Sequence, residues 1–448
     1  MLQTQVSLNQ SQAHIPRGVA DYFWSEASAR RNLEHTLIAL FRSWGYQDVI
    51  PPMFEYAETF QHRANPRLQA EMYRFLDRDG STLALRVDMT IPVARLVSVR
   101  LHDWPMPQRF CYAGSVFRYT EPQAGRQREF IQAGFELIGA RTPEADAEVI
   151  ALTVQAVRRA GLDDFRLVLG QIQYFDSLLQ DLHLSPEQAT HFQRAINRNS
   201  EADLAEFLRT TPLRTQQRHT VEQLPQLSGS DAHAIIAQAD RLCLNYAMHA
   251  ALENLRRIHA VLEAYDIADA VYLDLTEINN LGYYTGITFE VLVPGMGFAV
   301  GSGGRYDNLI GSFGPAQPAV GVALGLDRLL AAARGGWHND QTQPVAPHLL
   351  VATDNNPDCL RIVDGWRRAG LRVAVSVDGL AGDQLFQSAL SLNIPLAATW
   401  TGQGLDLWQT VHGTSAEPTQ VTVADAPSVV ALVTAAANGA DGSAGGKE

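Results

Sequence analysis

The chain has 448 residues, 46% of them hydrophobic and 19% charged, with 48 acidic and 35 basic residues and a net charge of −13. At roughly 150 residues per domain this length predicts two or three domains with sizeable cores, and the composition excludes global disorder. No stretch approaches about 18 uninterrupted apolar residues, which points away from a membrane protein, and the acidity points away from a protein whose main task is gripping a phosphate backbone.

The start, MLQTQVSLNQSQAHIPRG, has neither a basic region nor an apolar core of the secretory kind. Cys111, Cys243 and Cys359 lie far apart with no C-x-x-C. That excludes a disulfide framework and a multi-cysteine zinc site, and fits a reducing cytoplasm; no metal and no cofactor are expected. Lys447 is the only lysine, so a P-loop lysine or a Schiff-base lysine in a core is excluded.

Ser25 opens a run with Leu33, Leu37, Ile38 and Phe41 at helical spacing, with Ser25 as N-cap and Gly45 as stop. Val49 and Ile50 then read as a strand before Pro51-Pro52. FLDRDGSTLALR predicts a hairpin turning at Asp79-Gly80. QRFCYAGSVFRY and REFIQAGFELIG bracket the polar loop TEPQAGRQ as a second strand–loop–strand unit. Residues 143–160 predict a helix, and 185–265 a strand-poor helical insertion. AVYLDLT, YTGITFEVLV and GFAVGSG return to strand, and GVALGLDRLLAAA reads as a helix. Residues 335–348 form a polar linker. A β-α-β-α-β rhythm over 349–437 predicts a small α/β domain, and 438–448 a disordered tail.

Several residues carry candidate chemistry. The Gly-rich 295–307 segment lacks both the P-loop order and G-x-G-x-x-G between strand and helix, and reads as a tight strand–turn. Arg118 ends a strand and Arg126 follows in the loop. Guanidinium groups suit carboxylates and phosphates, although solvated arginines are commoner. Arg328 sits in an apolar frame and needs a partner. Asp88 and Thr90 follow a strand. Gln132 and Glu136 share one strand face, with Gly134 between them leaving room for a ligand. Tyr283, Tyr284 and Tyr306 stand beside glycines and combine a packing ring with a polar tip. Together they describe a pocket on an antiparallel sheet for a molecule with an ammonium and a carboxylate.

GYQDVIPPMFE, VFRYTEP, EFIQAGFELIG, GGRYDNL and PAVGVALGLDRLL resemble the three motifs of class II aminoacyl-tRNA synthetases in their histidyl form, over roughly residues 15–330. The implied fold is α+β: a class II synthetase-like antiparallel sheet with a helical insertion over residues 1–334, followed by a small α/β domain similar to a degenerate anticodon-binding domain. Pro52, Arg118 and Arg328 stand at the motif proline and arginines. The resemblance implies that Asp88 (where the synthetase has Glu), Thr90 and Gln132 hold the α-ammonium of histidine. By the same resemblance Glu136 and Tyr284 face the imidazole, Tyr306 is another pocket tyrosine, Tyr283 belongs to the same histidine site, and Arg118 reaches the carboxylate.

Three departures matter. Asn279 stands where the synthetase has its activating arginine, and a neutral amide cannot supply that charge. Thr120 and Glu121 replace a Glu and an Arg of the second motif. The region from residue 347 onward holds five basic and ten acidic residues, net −5, a poor RNA surface. A retained histidine pocket with damaged adenylation resembles the synthetase-like regulatory subunits of ATP phosphoribosyltransferase. That resemblance implies no catalytic residues, a hetero-octamer with a short-form catalytic subunit, self-association as a dimer, free histidine as feedback effector and no tRNA. A divergent histidyl-tRNA synthetase is the alternative, favoured by Arg118, Arg126 and Arg328. A stand-alone histidine sensor is a third reading.

Overall fold

The computed structural model describes residues 15–61, 63–64, 66–120, 127–277, 283–333, 346–402, 404–410 and 419–422. The chain folds as two compact units, Met1–Asn339 and Asp340–Glu448.

Among the described residues, the first unit is built on a nine-stranded sheet. Its strands are β1 (Gln47–Asp48), β5 (Gln108–Phe117), β6 (Glu129–Ile138), β7 (Arg166–Gln171), β8 (Ser228–Gly229), β9 (Val271–Asp274), β10 (Ile287–Leu292), β11 (Gly301–Arg305) and β12 (Ala319–Gly325), in the spatial order β1-β5-β6-β12-β11-β10-β7-β9-β8. Every neighbouring pair is antiparallel except β1–β5 and β7–β9. A smaller sheet pairs β2 (Phe54–Tyr56) and β3 (Arg74–Leu76) with β4 (Thr82–Leu85).

Alternation along β6 gives the main sheet two different faces. Ala133, Phe135 and Leu137 share one core with Leu33, Leu37 and Phe41 of the Trp24–Ser43 helix and with the Pro143–Arg159 helix. The Phe41 and Phe135 rings meet at 4.8 Å. Gln132, Gly134 and Glu136 therefore point to the opposite side. Between β7 and β9 the chain is helical apart from the short β8: Ile172–Leu182, Pro186–Asn197, Glu201–Thr210, Thr215–Gln223, Ala232–Asp240 and Tyr246–Ala264. Ser185, Asp231 and Asn245 start three of these helices by accepting backbone N–H bonds. Phe175, Phe192 and Phe207 stack in series at 5.6 and 4.8 Å.

In the second unit, β13 (Leu349–Ala352) pairs in parallel with β14 (Val373–Val375) and β15 (Leu396–Trp400), and β16 (Gly404–Gln409) and β17 (Thr419–Thr422) extend it antiparallel. Alternating residues feed two cores: Leu349 and Val351 pack with Trp366 of the Pro357–Arg368 helix, and Leu350 with Leu385 and Phe386 of the Gly382–Ser391 helix. The three cysteines are free and buried, as small hydrophobes.

Several local expectations are corrected. The first helix begins at Trp24 behind Phe23, with no side-chain cap, so Ser25 lies inside it; Gly45, at φ +86°, does follow its end. The strand before the prolines is Gln47–Asp48, and Ile50 is exposed. The Asp79-Gly80 hairpin forms as expected. Residues 319–325 form strand β12 between β6 and β11, and only Leu326–Ala332 is helix. Here the demand of a central sheet position overrides the apolar run, which period alone could not assign. The Gly-rich segment is a turn over 295–300 that leads into strand β11 in mid-sheet, as the strand–turn reading expects. A Cβ at Gly304 would lie 2.8 Å from the Tyr284 ring, so its glycine seats that ring. Asn279, Arg126 and Glu121, most of the linker and the tail fall outside the described residues.

Candidate functional site

A cavity of about 660 Å³ opens on the β6 face opposite the helical core. That volume lies in the range of small-molecule sites. It brings together Asp88, Thr90, Arg118, Gln132, Tyr283, Tyr284 and Tyr306, with Arg328 at one side.

Asp88 closes the turn after β4. Its Oδ1 accepts the Ile91 N–H at 3.0 Å and so caps the Thr90–Leu96 helix. Among the described residues, its Oδ2 is buried with no hydrogen-bond partner. Burial raises the Asp88 carboxyl above the usual range, against the pull of the Ile91 N–H and of the Arg118 guanidinium. An orphaned acceptor on a cavity wall is a place for a donor, and a cationic donor suits it best. Gln132 Oε1 accepts the Met89 N–H at 3.2 Å, and Arg118 Nε donates to the Val87 carbonyl at 2.8 Å. Both side chains are thereby tied to the backbone that carries Asp88. Tyr283 stands edge-on to Tyr284 and Tyr306, at 5.0 and 5.9 Å.

Glu136 takes a different place from the one expected of a ligand-facing group. It is fully buried, and its carboxylate is spent on protein hydroxyls: Thr90 Oγ1 and Tyr112 Oη each donate to Oε1 at 2.9 Å, and Tyr306 Oη donates to Oε2. It lies beneath the cavity floor and orients two groups that line it, Thr90 and Tyr306. The room expected at Gly134 is likewise filled, because a Cβ there would lie 2.7 Å from the Tyr112 hydroxyl. Tyr112 was not singled out in the sequence. Its signal is register: it pairs directly with Gly134 across β5–β6.

Burial pushes the Glu136 carboxyl up to about 7, although the three hydroxyl donors pull it down. A carboxyl that holds its proton more tightly folded than unfolded penalises the fold as pH rises from its unfolded value, about 4.3, through 7, and the penalty is absent below that window. Glu136→Gln, which imitates the neutral carboxyl, is expected to flatten the fall in melting temperature between roughly pH 4 and 7. Parallel pH–melting curves for the two proteins would remove Glu136 as the source.

A second cavity of about 440 Å³ adjoins the first and shares Arg118, Phe130, Phe298 and Arg328 with it. Arg328 Nη1 donates to the Ala299 carbonyl at 2.8 Å, and its guanidinium lies 5.1 Å from the Phe298 ring centre, which answers its need for partners. Arg30 pairs with Asp327 on the far wall and carries the Tyr22 ring 3.3 Å from its guanidinium carbon. Glu290, Ser302 and Phe298 also line the first cavity, although the sequence reading passed over them.

The histidyl-tRNA synthetase family model matches residues 18–329. An ATP phosphoribosyltransferase regulatory subunit from Moorella thermoacetica is 40% identical over 391 residues, 87% of this chain and 98% of its own length. One from Syntrophotalea carbinolica is 39% identical over 334 residues, 74% of this chain and 78% of that one. A crystal structure described as an ATP phosphoribosyltransferase regulatory subunit/histidyl-tRNA synthetase from Bacillus halodurans superposes with a TM-score of 0.76 at 29% identity, over 87% of this chain and 99% of the other. The histidyl-tRNA synthetase of Nostoc, at 21% identity and TM-score 0.74, shares the fold over 94% of this chain and 99% of its own.

The sheet, its insertion and the paired cavities define a histidyl-tRNA synthetase-like protein of class II architecture. Within that class, the chain belongs to the family of ATP phosphoribosyltransferase regulatory subunits.

Proposed function

We propose that this chain is a non-catalytic subunit that binds free histidine in the larger cavity and transmits feedback inhibition to a short-form ATP phosphoribosyltransferase. The observation that carries the reading is the orphaned Asp88 Oδ2 on a cavity wall that also presents Thr90, Gln132, Arg118 and three tyrosines. The α-ammonium meets Asp88, Thr90 and Gln132, and the carboxylate meets Arg118. The imidazole lies against Tyr284 and Tyr306, with Tyr283 behind them and Glu136 fixing Tyr306 from below. Each polar group of the ligand then has a partner of matching character.

The catalytic partner joins ATP to phosphoribosyl pyrophosphate, giving phosphoribosyl-ATP and pyrophosphate. This chain pairs with a second copy and assembles with that partner as a hetero-octamer in the cytoplasm. Residues 1–334 form the sensing domain, with the insertion at about 185–265. Residues 335–348 link it to a degenerate anticodon-binding domain over 349–437, before a tail at 438–448. Its net charge supports a role without tRNA. Reciprocity requires the state of the complex to alter histidine affinity by the factor by which histidine alters activity, typically about 5–150-fold.

Arg118 and Arg328 beside the second cavity favour the alternative, a divergent histidyl-tRNA synthetase. Asn279 and Thr120 weigh against it. Calorimetry for histidine, paired with histidine-dependent ATP–pyrophosphate exchange on the same preparation, separates the two. We expect binding without exchange, followed by histidine-sensitive transferase activity on reconstitution with a short catalytic subunit. Robust exchange would make the synthetase reading the correct one.

A further inference from the structure

The helical insertion holds a side-chain cluster with no part in the cavity. His233 lies on the Ala232–Asp240 helix, and His259 and Glu263 lie one turn apart on the Tyr246–Ala264 helix. His233 Nε2 stands 3.0 Å from Glu263 Oε1, and His259 Nδ1 stands 3.7 Å from the same oxygen. One donor atom from each residue lies within 4.8 Å of the other two. His259 is 8% exposed, and its Nδ1 is buried without a hydrogen-bond partner among the described residues. An imidazole nitrogen left so, facing a carboxylate and a second imidazole, is poised to receive a ligand.

We propose that His233, His259 and Glu263 form a binding site for a divalent transition-metal ion of the zinc type. Zinc takes imidazole nitrogen and carboxylate oxygen at about 2.0–2.2 Å in a tetrahedron, which places neighbouring donors roughly 3.4 Å apart. The two distances to Glu263 bracket that value. Imidazole donors select zinc, nickel, copper or cobalt over magnesium and calcium. Three protein ligands leave the fourth position to water. Asp231 caps the Ala232–Asp240 helix through the Ala234 N–H at 2.9 Å, and its charge also bears on His259, adding to the negative field that a cation needs. Bound metal cross-links the two helices, which already share the insertion core through Ile236 and Ile258.

The absence of a metal expected from the sequence rested on cysteines, and this cluster contains none. Within one helix only the His259–Glu263 spacing is legible, and His233 joins it through the packing of two helices. A second cluster, Asp240, Cys243 and His249, has the same tightness. There the Arg256 guanidinium already sits 3.3 Å from Asp240 Oδ1 and competes with a cation.

The test is a titration of the chelator-treated full chain with zinc alone, in buffer free of histidine and imidazole, both of which take zinc. We expect one site per chain, a rise in melting temperature with zinc or nickel, and none with magnesium. His233 is exposed, so His233→Ala preserves the fold, and a melting curve in the absence of metal verifies this. Loss of a protein ligand is expected to weaken zinc binding at least about tenfold and to abolish the melting shift, while His249→Ala leaves both unchanged. No zinc binding by the native chain would reduce the cluster to a plain histidine–glutamate pair and overturn the proposal. Binding that survives His233→Ala and disappears in His249→Ala would overturn it equally, by placing the metal at the other cluster.

Discussion

Replacing Asp88 with alanine is expected to weaken histidine binding by about 2–5 kcal/mol, the cost of truncating one partner of a buried charge pair. The substitution removes Oδ2, the acceptor held without a partner at the cavity wall among the described residues, and leaves the ligand ammonium with only the neutral Thr90 and Gln132 of its proposed partners. It also removes Oδ1, which caps the helix starting at Thr90, and a lost cap costs about 0.5–2 kcal/mol of stability. Asp88→Asn separates the two effects. An asparagine oxygen can still accept the Ile91 N–H, so the fold keeps its cap while the charge is gone. Calorimetry on both variants, with melting curves alongside, is the measurement. Native-like affinity in Asp88→Ala would mean that histidine does not place its ammonium here.

The largest effect on stability is expected at Asp146. Its side chain is 1% exposed, and it meets Arg305 twice, at 2.9 Å from Nε and 2.6 Å from Nη2. Arg305 is itself 7% exposed, and its Nη1 also donates to Asp307 and to the Ala140 carbonyl, each at 3.0 Å. Asp146→Ala strands most of a buried guanidinium, a change that costs about 3–5 kcal/mol. The lower end is expected because Asp307 remains. Arg305 directly precedes Tyr306 at the end of β11, so the loosened strand should also reduce histidine affinity. Urea unfolding measures the first effect. A loss under about 1 kcal/mol would place the pair with ordinary surface ion pairs instead.

Much of the frame was legible because its signals are local. Helical spacing over Leu33, Leu37 and Phe41, the Asp79-Gly80 turn and the alternation of β6 each depend on a few neighbouring residues. The strand at 319–325 was not legible, since an apolar run with glycines is compatible with helix or strand until its two sheet neighbours are known. β16 was missed for a related reason: GLDLWQ is short, and its pairing with β15 comes from the rest of the sheet.

The sequence alone determined which residue types share the β6 face, which arginines and tyrosines accompany them, and that the chain resembles histidyl-tRNA synthetases over its first three-quarters. Only the tertiary structure decided what each group faces. Tyr112 reaches from the neighbouring strand into the space at Gly134, and Glu136 is turned from a ligand contact into the buried anchor of Thr90 and Tyr306. Likewise His233 meets His259 and Glu263 only because two insertion helices pack side by side. The physical reason is common to all three: period assigns a side chain to a face, but its neighbours on that face come from strand register and helix packing over long sequence separations.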